Sequence, residues 1–333
     1  MQTLSCCFRL CSGALLSVFL LMSTHGSFGQ SPVAATDAPL QIKRLRTIEP
    51  ASLRISDRDR WTGGLPKKVL FRMAADSQGR ILVTDPYSSL IQVLDIEGGN
   101  YLQLKGDRVQ AMRFPTYIAV DADDDIYVSE PTLGAVLVFF PDGRFARMIG
   151  GDELTLPFGL AIDKSNGRLF VVDHERGAIE VYSLDGKFLT RIGSRGRSEG
   201  EMRHPTDIVF EGGTLYVLDA GNSRFEIFGA DGEFKAVLPF GDNRAPLAIA
   251  VDKASRLYCV DGYSLGLLVL DTSGKQLATY GVRVPYGQPT PAERTPAYTS
   301  LAERADGTIL GLRPTLEVDV LKLETPAPKE QTR

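Results

Sequence analysis

The chain has 333 residues, of which 43% are hydrophobic and 23% charged, and a net charge of −4. This composition suits a globular domain with ample core and excludes a low-complexity or disordered chain. The mildly acidic balance leaves no electrostatic footprint for nucleic acid, so no nucleic-acid partner is expected.

Residues 1–29 read as a signal peptide. Arg9 is a lone cation, GALLSVFLLM (13–22) is a ten-residue apolar run, and Ser27 and Gly29 are small residues ahead of a cut before Gln30. The run is too short for a bilayer, which takes roughly 20 residues. The alternative is a retained anchor. Cleavage predicts an exported protein, periplasmic or extracellular, with no stable membrane anchor. It also removes Cys6, Cys7 and Cys11, so Cys259 remains alone and no intramolecular disulfide is possible. Cys259 sits where sister segments carry Val83, Val128, Val171 and Val217, the place of a small buried hydrophobe. Residues 30–40 are expected to be a flexible lead.

The rest of the chain repeats. QIKRLRTIE (41–49) has the character of a single strand. Then one pattern recurs over 79–106, 125–150, 167–193, 214–241 and 255–281, with a degraded copy at 307–324. An acid closes one strand in each copy: Asp76, Asp121, Asp163, Glu211, Asp252 and Glu303, at spacings of 45, 42, 48, 41 and 51. A second marker follows 8 to 10 residues later: Asp85, Glu130, Asp173, Asp219 and Asp261, with Arg313 in the last copy. Each copy holds four short apolar runs, such as FGLAID, RLFVVD, AIEVYS and KFLTRIG. The first run is expected to be buried on both faces and the outer ones half-buried. Asp142-Gly143, Asp185-Gly186 and Asp231-Gly232 supply hairpin turns between the last two runs.

Four antiparallel strands at a period of 40 to 50 residues predict an all-β chain, a six-bladed β-propeller of four-stranded antiparallel blades over residues 41–324. The sixth copy lacks its fourth strand, and residues 41–49 have no blade. The N-terminal strand is therefore predicted to pair with 316–324 and complete the last blade, removing an open sheet edge. TPAPKEQTR (325–333) reads as a disordered tail.

The junction IGSRGRSEGEMRHPTDIVFE followed by LYVLDAGNSRFEIF resembles the NHL repeat, with a proline before the first strand and an Asp-x-x-Asn-x-Arg element. The proline recurs as Pro115, Pro157, Pro205, Pro246 and Pro296, while the first copy has Leu70 in its place. The Asn-x-Arg element is complete only as Asn222 and Arg224. The resemblance covers residues 41–324. It implies the fold, but propellers host many unrelated functions.

Enzymes that resemble this architecture imply metals in the channel. Peptidylamidoglycolate lyases hold zinc through histidines, and gluconolactonase-like and paraoxonase-like propellers hold a cation through Glu, Asn and Asp. The mature chain has only His174 and His204, at non-equivalent positions, where zinc wants three or more converging ligands. The repeating acids Asp85, Asp173, Asp219 and Asp261 read as caps of their own turns. No nucleophile motif and no phosphate loop appears. No catalytic residue, metal ligand or cofactor is assigned, with zinc or calcium in the channel left open.

The informative positions vary between blades. Residues after each proline and turns after each second marker are expected at one mouth of the channel. From these, Tyr117, Phe158, His174, Arg176, Asp207, Asn222, Tyr263 and Tyr298 are the candidate ligand-binding residues. The proline-rich segment 281–298 is a candidate functional loop or a filler, and Trp61 has no readable role. The expectation is a binding or scaffold module for a protein, peptide or glycan. The alternative is a metal-dependent lyase or lactone hydrolase with its site in the channel.

Overall fold

The computed structural model describes residues 40–48, 71–95, 101–106, 111–151, 153–240, 246–261, 266–281, 298–313 and 317–325. The signal segment, most of the lead, Trp61, Tyr263, the interior of the proline-rich segment and the tail from 326 lie outside them. Among the described residues the chain forms six four-stranded sheets. Blade 4 is representative: Asp207–Glu211, Thr214–Asp219, Arg224–Gly229 and Phe234–Pro239 pair antiparallel in sequence order. Its third and fourth strands turn at Asp231-Gly232, with Gly232 at φ +91° as a tight hairpin needs.

The blades share cores at their junctions. One cluster joins Phe170 and Val172 of blade 3 to Ile208, Leu215 and Phe228 of blade 4. Another joins Phe71, Met73 and Ile81 of blade 1 to Leu310, Val318 and Val320 of blade 6. The second and third strands are the ones buried throughout, as in Ile81–Asp85 and Leu90–Leu94. This corrects the expectation for the first strands, which leave Ala74, Ala119 and Ile162 half-exposed. The reason is the channel: first strands line it, so one side of them meets open space.

The ring closes as the sequence predicts. Gln41–Ile48 pairs antiparallel with Val318–Glu324 and becomes the outer strand of blade 6. Ile42 is buried in the core between blades 5 and 6. Thr47 Oγ1 donates to Asp319 at 2.6 Å. The register slips between Arg44 and Arg46, and Leu45 turns outward, 46% exposed.

The strand-closing acids hold the turns. Asp121 accepts from the N–H groups of Asp123 and Asp125 at 3.0 and 2.9 Å and from the Tyr127 hydroxyl at 3.0 Å. At the other end, Asp85 accepts from the N–H groups of Tyr87 and Ser88. Glu130, Asp173 and Asp219 instead reach back to the loop before the repeat proline, accepting from the N–H groups of Phe114, Thr155 and Arg203 at 2.8, 2.7 and 2.6 Å. These acids therefore fix the loops that surround one channel mouth.

Candidate functional site: the channel mouth at blades 1 to 4

The first strands enclose a channel cavity of about 240 Å³. Counted back four positions from the first acid, they carry Arg72, Tyr117, Gly159, Asp207, Ala248 and Thr299. These are strand starts, so all lie at the same mouth. Gly159 is the close contact: a Cβ there would meet Asp207 Cα at 2.8 Å. Its N–H donates to Thr206 O at 3.1 Å, which draws blades 3 and 4 together at the rim.

Arg72 spans this mouth. Its Nη1 donates to Phe71 O and Thr299 O at 3.2 and 3.1 Å, and its Nη2 to Tyr117 Oη and Leu247 O at 3.2 and 3.3 Å. One side chain from blade 1 thus links blades 2, 5 and 6. The guanidinium lies 4.7 Å from the centre of the Tyr117 ring, within cation–π range. Asp207 of blade 4 is buried and accepts from the N–H groups of Ile208 and Ile249 at 3.0 and 3.2 Å. Burial raises its carboxyl to about 6, against the opposing pull of Arg72 and of the two N–H groups. Burial likewise pushes the Tyr117 hydroxyl up to about 12.

From Arg72 the rings run on around the rim. Tyr117 and Phe158 stack at 5.9 Å, Phe158 and His174 lie 4.6 Å apart, and His174 and His204 lie 5.0 Å apart. This ladder crosses three blade junctions. His174 Nδ1 meets Pro205 O at 3.0 Å, so the neutral ring donates there. Burial holds the His174 pKa below its ordinary value. His204 ends the ladder with φ +48°, and no hydrogen bond reaches its ring among the described residues. A non-glycine residue in that region carries backbone strain.

The structure thus brings Tyr117, Phe158, His174 and Asp207 together. It separates the other candidates. Arg176 donates to Thr155 Oγ1 and pairs with Asp173 and Glu180. Asn222 donates to Gly196 O and Asp219, inside the blade 3–4 loop. Tyr298 is 1% exposed, with its hydroxyl donating to Asp319 at 2.8 Å. It does not line the channel: it precedes the first strand of blade 6, Ser300–Glu303, and packs into the core shared with blade 5, while Ser300 takes the channel position. Tyr263 lies outside the described residues. Arg72 and His204 were missed as members of the site. The four-back column singles out Arg72, and the step from proline to its neighbours gives no signal for His204.

Among the described residues, no three His, Cys, Asp or Glu side chains converge to hold a metal ion. The His174 and His204 rings lie at a tilt of 38° to one another.

A six-bladed β-propeller family matches residues 157–281. The human E3 ubiquitin-protein ligase NHLRC1 is 28% identical over 109 residues, 32% of this chain and 27% of that protein. The Drosophila melanogaster protein brain tumor is 28% identical over 144 residues, 42% of this chain and 13% of that protein. This chain is a six-bladed β-propeller, similar over part of its length to these proteins. It therefore spans only a small part of these curated relatives. Among solved structures the ring resembles a streptogramin B lyase, with TM-score 0.59 and 14% identity over 78% of this chain and 95% of that one. It also resembles a chain of the nidogen/laminin complex, with TM-score 0.54 and 24% identity over 65% of this chain and 81% of that one. At these identities the likeness to solved structures is one of fold.

Proposed function

We propose that this propeller is an exported binding module that takes a protein partner on the face carrying the ladder from Arg72 to His204. The continuous ladder carries this reading. It joins half-exposed rings to a charged channel mouth on a scaffold whose loops are pinned by buried acids, the arrangement that recognition surfaces favour. The similarity to a chain of the nidogen/laminin complex supports a protein partner, and peptides or glycans of similar chemistry fit the same rim. The test is a pull-down from exported proteins with the mature chain and with Phe158→Ala. A partner retained by the native protein and lost with the variant is expected. A partner that binds both equally moves the interface off this face.

Export is tested separately by N-terminal sequencing of the exported protein. A start at Gln30 is expected, and an intact Met1 in a membrane fraction would overturn it.

A second reading is a lyase or lactone hydrolase acting in the channel. It is favoured by Asp207, whose carboxyl titrates at about 6 beside Arg72 and Tyr117, in the range useful to a general acid or base. Metal content by mass spectrometry before and after chelation separates the readings. About one retained zinc or calcium per chain, the stoichiometry of a catalytic site, would put the enzyme first.

A further inference from the structure

The ladder face also differs in charge from the molecule as a whole. Arg113, Arg197 and Arg203 stand exposed on its loops, and none pairs with a carboxylate among the described residues. Their backbones are fixed. The N–H groups of Arg113 and Arg203 donate to Glu130 and Asp219 at 2.8 and 2.6 Å, and that of Arg197 donates to Glu201 at 3.0 Å. The guanidinium groups are left free while the loops beneath them are held.

The acids of this face are mostly engaged. Glu175 pairs with Arg195 at 3.0 Å. Glu201 caps the N–H groups of Arg197 and Ser198. Glu130, Asp173 and Asp219 are buried against backbone N–H groups. Only Glu153 and Glu199 remain as exposed acids on the same described loops. Among the described residues of these loops, free arginines therefore outnumber free acids, on a chain whose net charge is −4.

Arg113 stands beside Phe114 in the loop before blade 2. Arg203 stands beside His204 in the loop before blade 4. Between them lie the half-exposed rings of Phe158 and His174. Cations at two edges with rings between match an extended chain that alternates acidic and apolar side chains. Arginine fits carboxylates in a bidentate fashion, and charge complementarity of this kind sets partner choice and encounter rate.

We propose that this face receives an extended acidic segment of a partner protein, laid over Phe158 and His174. Its carboxylates seat at Arg113 on one side and at Arg203 and His204 on the other. The proposal rests on the binding-module reading and specifies its partner.

The experiment is selection from a random peptide display library against the mature protein, followed by fluorescence anisotropy of the enriched peptides. Enriched sequences are expected to carry acidic residues on both sides of an apolar one. Their affinity should weaken with added salt and fall by at least about tenfold in R113E/R203E. Both sites are exposed, and circular dichroism of the variant should match the native protein. Enrichment of neutral or basic peptides, no enrichment at all, or unchanged affinity in R113E/R203E would each overturn the proposal. So would a single-stranded RNA oligonucleotide that displaces the peptide and binds more tightly. A partner from the pull-down that tolerates R113E/R203E but is lost with Phe158→Ala would preserve the binding-module reading and overturn the acidic segment.

Discussion

Arg72 is held by oxygen atoms from four blades' worth of surroundings, and Tyr117 Oη is the one side-chain acceptor among those hydrogen bonds. Removing that oxygen in Tyr117→Phe leaves Nη2 with one fewer partner at the channel mouth. A loss of about 1 to 2 kcal/mol in urea unfolding is expected, with the ring stack intact. An unchanged midpoint would mean that water replaces the hydroxyl. Asp207 gives a pH signature. An unfolded aspartate releases its proton near pH 4, whereas the folded carboxyl keeps it to about 6. Between those values the folded state binds the extra proton, so its stability falls as pH rises through the window and levels off above it. Asp207→Asn should flatten that part of the profile in denaturation series at pH 4.5 and 7; parallel profiles would show that Asp207 titrates normally. At this scale the sequence was partly legible. Tyr117, Phe158, His174 and Asp207 were found because they differ from their counterparts in sister blades. Arg72 was not, because blade 1 lacks the proline that marked the column elsewhere. Tyr298 was misplaced because it precedes the first strand of blade 6 and packs into the core shared with blade 5.

The closing strand shows how a single element finds its place. Its sequence alternates weakly, and only Ile42 is buried while Lys43, Arg44, Leu45 and Arg46 are exposed. The fit is therefore decided by the missing fourth strand of blade 6 more than by the strand's own pattern. Ile42→Ala should cost about 2 kcal/mol or more, because it empties space between blades 5 and 6. Leu45→Ala, on the outward bulge, should cost close to nothing. Equal effects in thermal unfolding would contradict the burial difference. Gly311 is a second sensitive point in the same blade. A Cβ there would meet the Tyr298 ring at 2.6 Å, so Gly311→Ala should destabilise by about 1 to 3 kcal/mol through overpacking, read as a lower midpoint in denaturant. Hairpins with Asp-Gly turns were legible from composition alone. The reach of Glu130, Asp173 and Asp219 back to the preceding loop was not, because it depends on contacts some 16 to 18 residues apart.

At the scale of the whole ring, each described core belongs to two neighbouring blades, including the pair joined at the closure. No blade buries its apolar faces alone, so stability depends on the circle being complete. The period of the markers made this architecture readable, since a four-stranded unit repeated six times has few ways to cover both of its faces. The free arginines of the ladder face were not readable, because they depend on which acids are buried and spent. The closure also fixes an order of events in time. The strand at residues 41–48 is synthesised before every other described strand, yet its partner at 318–324 is made last among them. For that whole interval it waits as a lone β-segment, and Lys43, Arg44 and Arg46 give it a like-charged row that discourages pairing with other nascent copies. A chain stopped at residue 317 should accordingly remain open to protease around residue 42, and a chain that includes 318–324 should be protected there. Birth order makes the strand at 41–48 a latch that waits for 318–324 to engage it.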